Sequence, residues 1–160
     1  MKYIKQSLTV LSILAALILS GCSSIKLVNA QDPDYQKITN YEPVQGKAVL
    51  YIYRTKLSDF QGMATTVDIG SEELEIFSNM LHRFEIPAGK YSMEPNGIGM
   101  FAIEDELDIE LEAGSVYFVE LRHESRFGIP NKSALLQKTK EDLEQVMASD
   151  NLNIAVIKVI

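Results

Sequence analysis

From residue 47 onward, apolar residues recur mostly with a period of two, and this alternation predicts strands rather than helices. Ala48-Val49-Leu50-Tyr51-Ile52-Tyr53 is apolar on both faces and rich in β-branched and aromatic residues, which predicts a central strand. Ala64–Ile69 alternates up to Gly70-Ser71, and Glu73-Leu74-Glu75-Ile76 alternates again before Ser78-Asn79. His82, Phe84 and Ile86 point one way, Arg83 and Glu85 the other. Pro87-Ala88-Gly89-Lys90 then turns the chain into a strand through Tyr91 and Met93, closed by Pro95-Asn96-Gly97. Leu107, Ile109 and Leu111 face inward between the outward carboxylates of Glu106, Asp108, Glu110 and Glu112. Ala113-Gly114-Ser115 turns into Val116–Arg122, and the two runs read as a hairpin.

One segment has helical spacing. Thr139 can cap, Asp142 stands three residues on, and Leu143, Val146 and Met147 form the apolar stripe, ending near Ser149-Asp150-Asn151. Ile154–Ile160 reads as a closing strand that needs a partner, because a free apolar edge aggregates. Short strands separated by turn signals predict a mainly β chain, an antiparallel Ig-like β-sandwich with one short C-terminal helix.

The first 21 residues follow other rules. Lys2 and Lys5 precede an aliphatic run from Leu8 to Leu19, the layout of a secretory signal. The run is too short for the roughly 20 residues that span a bilayer as a helix. It ends in Leu19-Ser20-Gly21-Cys22, which resembles the bacterial lipoprotein box. That resemblance implies lipidation of Cys22, cleavage after Gly21 and acylation of the new amine, so that the chain meets the membrane through an N-terminal lipid. Two or more acyl chains anchor stably where one is marginal. Ser23, with no aspartate at that position, implies sorting to the periplasmic face of the outer membrane. Residues 22–46 read as a tether between this signal and a domain over 47–160. As a flexible coil it would reach about 25–30 Å. Tyr35, Ile38, Tyr41 and Val44 at its end could equally lie against the domain, and the pattern leaves both open.

Charge and cysteine usage narrow the function. The net charge is −7, and losing residues 1–21 removes Lys2 and Lys5, so the mature chain is more acidic still. Such a surface is a poor partner for nucleic acid, and for docking on anionic lipid through the protein surface. Cys22 is the only cysteine, which leaves no disulfide and no thiolate metal site.

Several stretches together resemble a known pattern. Ala48–Arg54, Val67-Asp68-Ile69-Gly70, Ile86-Pro87-Ala88-Gly89-Lys90-Tyr91 and Leu111–Val119 occur in an order that resembles an uncharacterised family of small bacterial lipoproteins. The resemblance covers Lys47 to Leu121 and implies a PEGA-like or transthyretin-like β-sandwich. Ala88 replaces the second proline or glycine often seen in the turn, and Tyr91 stands where histidine is frequent. The family lends no catalytic residues.

No constellation carries chemistry. Gly97-Ile98-Gly99-Met100-Phe101-Ala102 matches a relaxed dinucleotide fingerprint, but no helical pattern follows to hold a pyrophosphate. His82 reads as half-buried and His123 as a strand end; two histidines are too few for zinc, so no metal is expected. Of Glu104, Asp105, Glu106, Asp108, Glu110 and Glu112, strand alternation spreads four along one face at about 6.5–7 Å intervals, too open for calcium. No catalytic residue and no cofactor is predicted. Phe60, Met63, Met80, Met100 and Phe101 sit in turns and loops, with Phe127 in another, and adaptable methionines with aromatics suit a protein-contact surface. The expectation is a non-enzymatic, lipid-anchored envelope protein that binds another envelope protein. The alternative is a glycan or small-ligand module using Tyr51, Tyr53, Tyr91 or Tyr117.

Overall fold

The computed structural model describes residues 25–99 and 101–160. Among them are eleven strands and two helices, arranged in two sheets. The strands are β1 (Ala48–Arg54), β2 (Thr65–Ile69), β3 (Glu72–Ile76), β4 (Met80–Ile86), β5 (Gly89–Pro95), β6 (Ile103–Asp105), β7 (Leu107–Leu111), β8 (Val116–Glu124), β9 (Lys132–Lys138), β10 (Asn153–Ile154) and β11 (Lys158–Val159). The helices are α1 (Pro33–Thr39) and α2 (Lys140–Asp150).

The chain is mainly β, as the alternation predicted. One sheet runs β10-β4-β1-β8-β9-β6, with β11 also pairing β4; the other runs β3-β2-β5-β7. A shared core lies between them, with Leu50 and Ile52 of β1, Val119 and Leu121 of β8, and Phe84 and Ile86 of β4 on one side. Val67, Leu74, Ile76, Met93 and Leu111 face them from the smaller sheet.

Two expectations about pairing need correction. The larger sheet is mixed: β1 is antiparallel to β4 but parallel to β8, and β9–β6 and β4–β10 are parallel as well. Residues 106–122 do not form a hairpin, for β7 pairs with β5 while β8 lies between β1 and β9. The short turn after Leu111 steps from one sheet to the other. Alternation reports which face is apolar; it carries no information about the neighbour's direction or sheet.

The outer face of the larger sheet is covered, which explains why β1 is apolar on both sides. Val49, Tyr51 and Tyr53 point away from the shared core into a second apolar layer with Val28, Ile38, Phe118, Leu143 and Leu152. Residues 25–46 are therefore packed against the domain rather than strung out as a tether. Asp32 caps α1 with Pro33 in its first turn, and Ile38 is fully buried. Leu27 forms a bridge with Ala155, and Val28 N donates to Ile154 O at 2.8 Å. The alternation missed α1 because its seven residues offer one buried side chain and no sustained stripe.

A buried ionic layer holds this covering down. Arg83, fully buried on β4, donates to Lys37 O (3.1 Å), Glu42 O (2.8 Å), the Tyr51 hydroxyl (2.7 Å) and Glu85 Oε1 (3.3 Å). The Tyr51 hydroxyl donates onward to Ile38 O (2.9 Å), and Lys37 Nζ reaches Glu85 at 2.8 Å. Burial pushes the Tyr51 phenol up to about 12, so it stays a neutral donor.

The helix after Thr139 forms as read, with a complete capping box between Thr139 and Asp142 and Leu143 buried. The last run is broken into β10 and β11, and its partner is β4.

Candidate interaction surface

One end of the larger sheet gathers the loops 55–64, 77–79, 96–102 and 125–131, because β1 and β8 finish there and β4, β9 and β6 begin there. The first loop is built around a buried arginine. Arg54, the last residue of β1, donates to Asp59 O (2.6 Å), Met63 O (2.7 Å), Phe60 O (2.7 Å) and Ser58 Oγ (3.3 Å). Its partners are three carbonyls and a hydroxyl, with no carboxylate. The loop is thereby pulled into a tight coil in which Phe60 adopts a left-handed φ of 61°.

Ser58 Oγ also accepts from His123 N (2.9 Å), and Asp59 N donates to His123 O (3.0 Å). His123 Nδ1 lies 2.7 Å from Ser133 Oγ, both residues being buried. His123 is thus no exposed strand end. Burial, with the nearby Arg54 charge, pushes its pKa down to about 4. His82, read as half-buried, is buried too; it stacks between Phe77 and Phe84, and its Nε2 accepts from Phe77 N (3.2 Å). Burial pushes it to about 4, so both imidazoles are neutral at pH 7.

The structure divides the residues read as a contact surface. Met63 is half exposed and Phe60 partly so, whereas Met80 at the start of β4 is 4 % exposed and belongs to the interior. Phe101 is 81 % exposed, with a left-handed φ of 61°. Cys22 and Met100 lie outside the described residues. Phe127 and Ile129 stand exposed on the loop beside Phe101; Asn131 ties the two loops by donating from Nδ2 to Ile98 O (3.0 Å) and accepting from Ile103 N at its carbonyl (2.8 Å). Met63 instead lines a shallow groove of about 330 Å³ with Ile25, Leu27, Phe77 and Met80. The apolar end therefore has two corners, one at β4 and one at β9 and β6, with Leu57 exposed on the loop after β1.

Other candidate chemistry dissolves on inspection. Gly97 is required by packing: a Cβ there would lie 2.4 Å from Ala102 Cβ, and its N–H donates to Glu104 Oε1 (2.6 Å). The segment leads into β6, not a helix. Tyr51 and Tyr53 face the helix-covered layer while Tyr91 and Tyr117 pack against the inter-sheet core, so the four line no common groove. A polar groove of about 430 Å³ between α2 and the sheet has charges that already pair, Glu120 with Arg122 (2.9 Å) and Lys138 (3.2 Å). Among the described residues no group of three or more His, Cys, Asp or Glu could hold a metal ion, and no helix is long and apolar enough to cross a membrane.

Arg54 and Arg83 were not picked out as organisers by sequence reasoning. The available signal was an arginine ending a strand otherwise wholly apolar, and another at the polar phase of a strand, two residues before a glutamate. No protein-family model and no curated protein matches the chain.

Proposed function

We propose that this chain is a non-enzymatic, lipid-anchored envelope protein that presents an apolar loop end to another envelope protein. In this reading Cys22 carries the lipid, the periplasmic face of the outer membrane is the location, and the sandwich is of the PEGA-like or transthyretin-like kind. The observation that carries it is the exposure of Phe101, Phe127 and Ile129 on two mutually tied loops. Large side chains held out on loops that are themselves hydrogen-bonded cost little to order on binding, and aromatic anchors of this kind dominate protein interfaces.

The test is photocrosslinking in intact cells from position 127 or 101. One recurrent envelope protein should be captured, and Phe127→Ser should weaken capture while leaving thermal unfolding unchanged. Scattered or absent products from both positions would overturn the reading. Cys22→Ala should abolish lipid labelling and leave the precursor uncut.

A further inference from the structure

We infer that the sheet edge formed by Ile25–Leu27 and Val156–Val159 lies flat on the phospholipid leaflet that holds the anchor, so that the Phe101–Phe127 corner points away from it. This rests on the reading of Cys22 as the lipidated residue. The chain is pinned where it enters the domain. Val156 N donates to Lys26 O (3.2 Å), Leu27 bridges to Ala155, and Val28 N donates to Ile154 O (2.8 Å). Between Cys22 and Ile25 lie three peptide steps, which extend at most about 11 Å. A domain of this size has a radius of gyration of about 14 Å. The leash is therefore shorter than the body it holds, and the side bearing Ile25 has to face the leaflet.

The side chains on that edge suit the position. Ile25, Leu27, Val156 and Val159 are all exposed, and Lys26 and Lys158 stand among them. Exposed aliphatics with lysines match the boundary between headgroups and acyl chains, the lysines meeting anionic phosphates. One carboxylate, Glu75, reaches the adjoining groove of about 340 Å³, which Phe77, Phe84 and Ile157 line with Ile25. The other carboxylates on the outer face of the smaller sheet lie away from this groove: Asp68, Glu72, Glu73 and Glu94 line a separate one, and Asp108 and Glu110 stand on β7. From β10 to β6 there are five strand spacings of about 4.8 Å, roughly 24 Å, which sets the Phe101–Phe127 corner well off the leaflet.

The test uses the full mature chain, with its lipid, in vesicles of phosphatidylethanolamine and phosphatidylglycerol. Nitroxides are placed singly through Leu27→Cys, Val159→Cys and Phe127→Cys, and the mass of the N-terminal peptide is measured on the same samples. Labels at 27 and 159 should show a several-fold higher ratio of oxygen to nickel-chelate accessibility than the label at 127. Lys26→Glu with Lys158→Glu should lower that ratio. If Cys22 is acylated and positions 27 and 159 are as water-exposed as 127, the orientation alone is wrong. Protection at 127 instead would mean the loop end faces the leaflet. An unacylated Cys22 would remove the anchor and this orientation together.

Discussion

The two sheets carry charge on their outer faces in opposite ways. On β4, Arg83 and Glu85 alternate with His82, Phe84 and Ile86 and lie beneath α1, joined to Lys37, Tyr51 and Glu42. On the smaller sheet, Glu73, Asp68 and Glu94 stand opposite one another across β3, β2 and β5, facing solvent with no cation between them. A strand whose polar residues recur at every second position therefore has two fates. It can face water, or it can be roofed over by a segment that brings its own partners.

The sharpest way to break this contrast is Arg83→Met. Removing the arginine leaves Glu85 buried with only Lys37, and frees the carbonyls of Lys37 and Glu42 that hold the covering segment. Loss of one partner from a buried charge network costs about 3–5 kcal/mol. The urea midpoint should fall accordingly, and amide exchange should rise first in residues 33–46.

Acid acts next, first through two buried histidines outside the ionic layer and then on Glu85 within it. The folded protein holds His82 and His123 near 4, below their ordinary 6.5, so the unfolded chain takes up protons first as pH falls. Their contribution is fully present above about pH 6.5 and is lost progressively down to about pH 4. Between pH 7 and 5 the loss is about 2 kcal/mol per histidine. Glu85 adds to it lower down. Burial alone would raise its carboxyl, but Lys37 and Arg83 outweigh this and hold it below its ordinary value. The slope of stability against pH should be shallower in His82→Phe. A slope unchanged by that substitution would exclude His82 as a source.

A smaller effect is expected at the C-terminal helix of the same covering layer. Thr139→Ala removes the hydroxyl that accepts from Asp142 N and half of the capping box, costing about 1 kcal/mol. The change should show in the denaturation midpoint, with the smaller sheet's amides unaffected at the level of local opening.

What was legible in the chain follows the same division. The smaller sheet could be read from alternation alone, since β2, β3 and β7 each bury one face and wet the other. The covered sheet was only half legible. β1 announced itself as central through its unbroken apolar run, but β9 did not: Ser133, Ala134 and Leu135 are buried in succession, which is no strand period. Alternation sets Arg83 and Glu85 on the face opposite His82, Phe84 and Ile86, but nothing local in β4 records that residues 25–46 will lie over them. Of the contact surface, Phe101 lies exposed where a loop apolar residue was expected to be, while Met80 is buried because the turn at Asn79 ends one residue before β4.

The smallest expected effect tests the bare face itself. Like charges directly opposite on neighbouring strands are destabilising by roughly 0.2–1 kcal/mol, and Asp68 faces one on each side. Asp68 is the wrong residue to change, since its Oδ2 accepts from Asn96 Nδ2 (3.4 Å). Glu73→Gln and Glu94→Gln remove the flanking charges and leave that contact in place. Each should raise the urea midpoint slightly at low ionic strength. The gain should disappear near 1 M salt, where the screening length falls to about 3 Å. On the covered sheet the same chemical change has the opposite sign. Glu85→Gln takes the carboxylate away from Arg83 and Lys37 in a buried site, so it should destabilise, and added salt should not repair it. If Glu85→Gln and Glu94→Gln instead moved the midpoint in the same direction with the same salt dependence, the two faces would not differ as described.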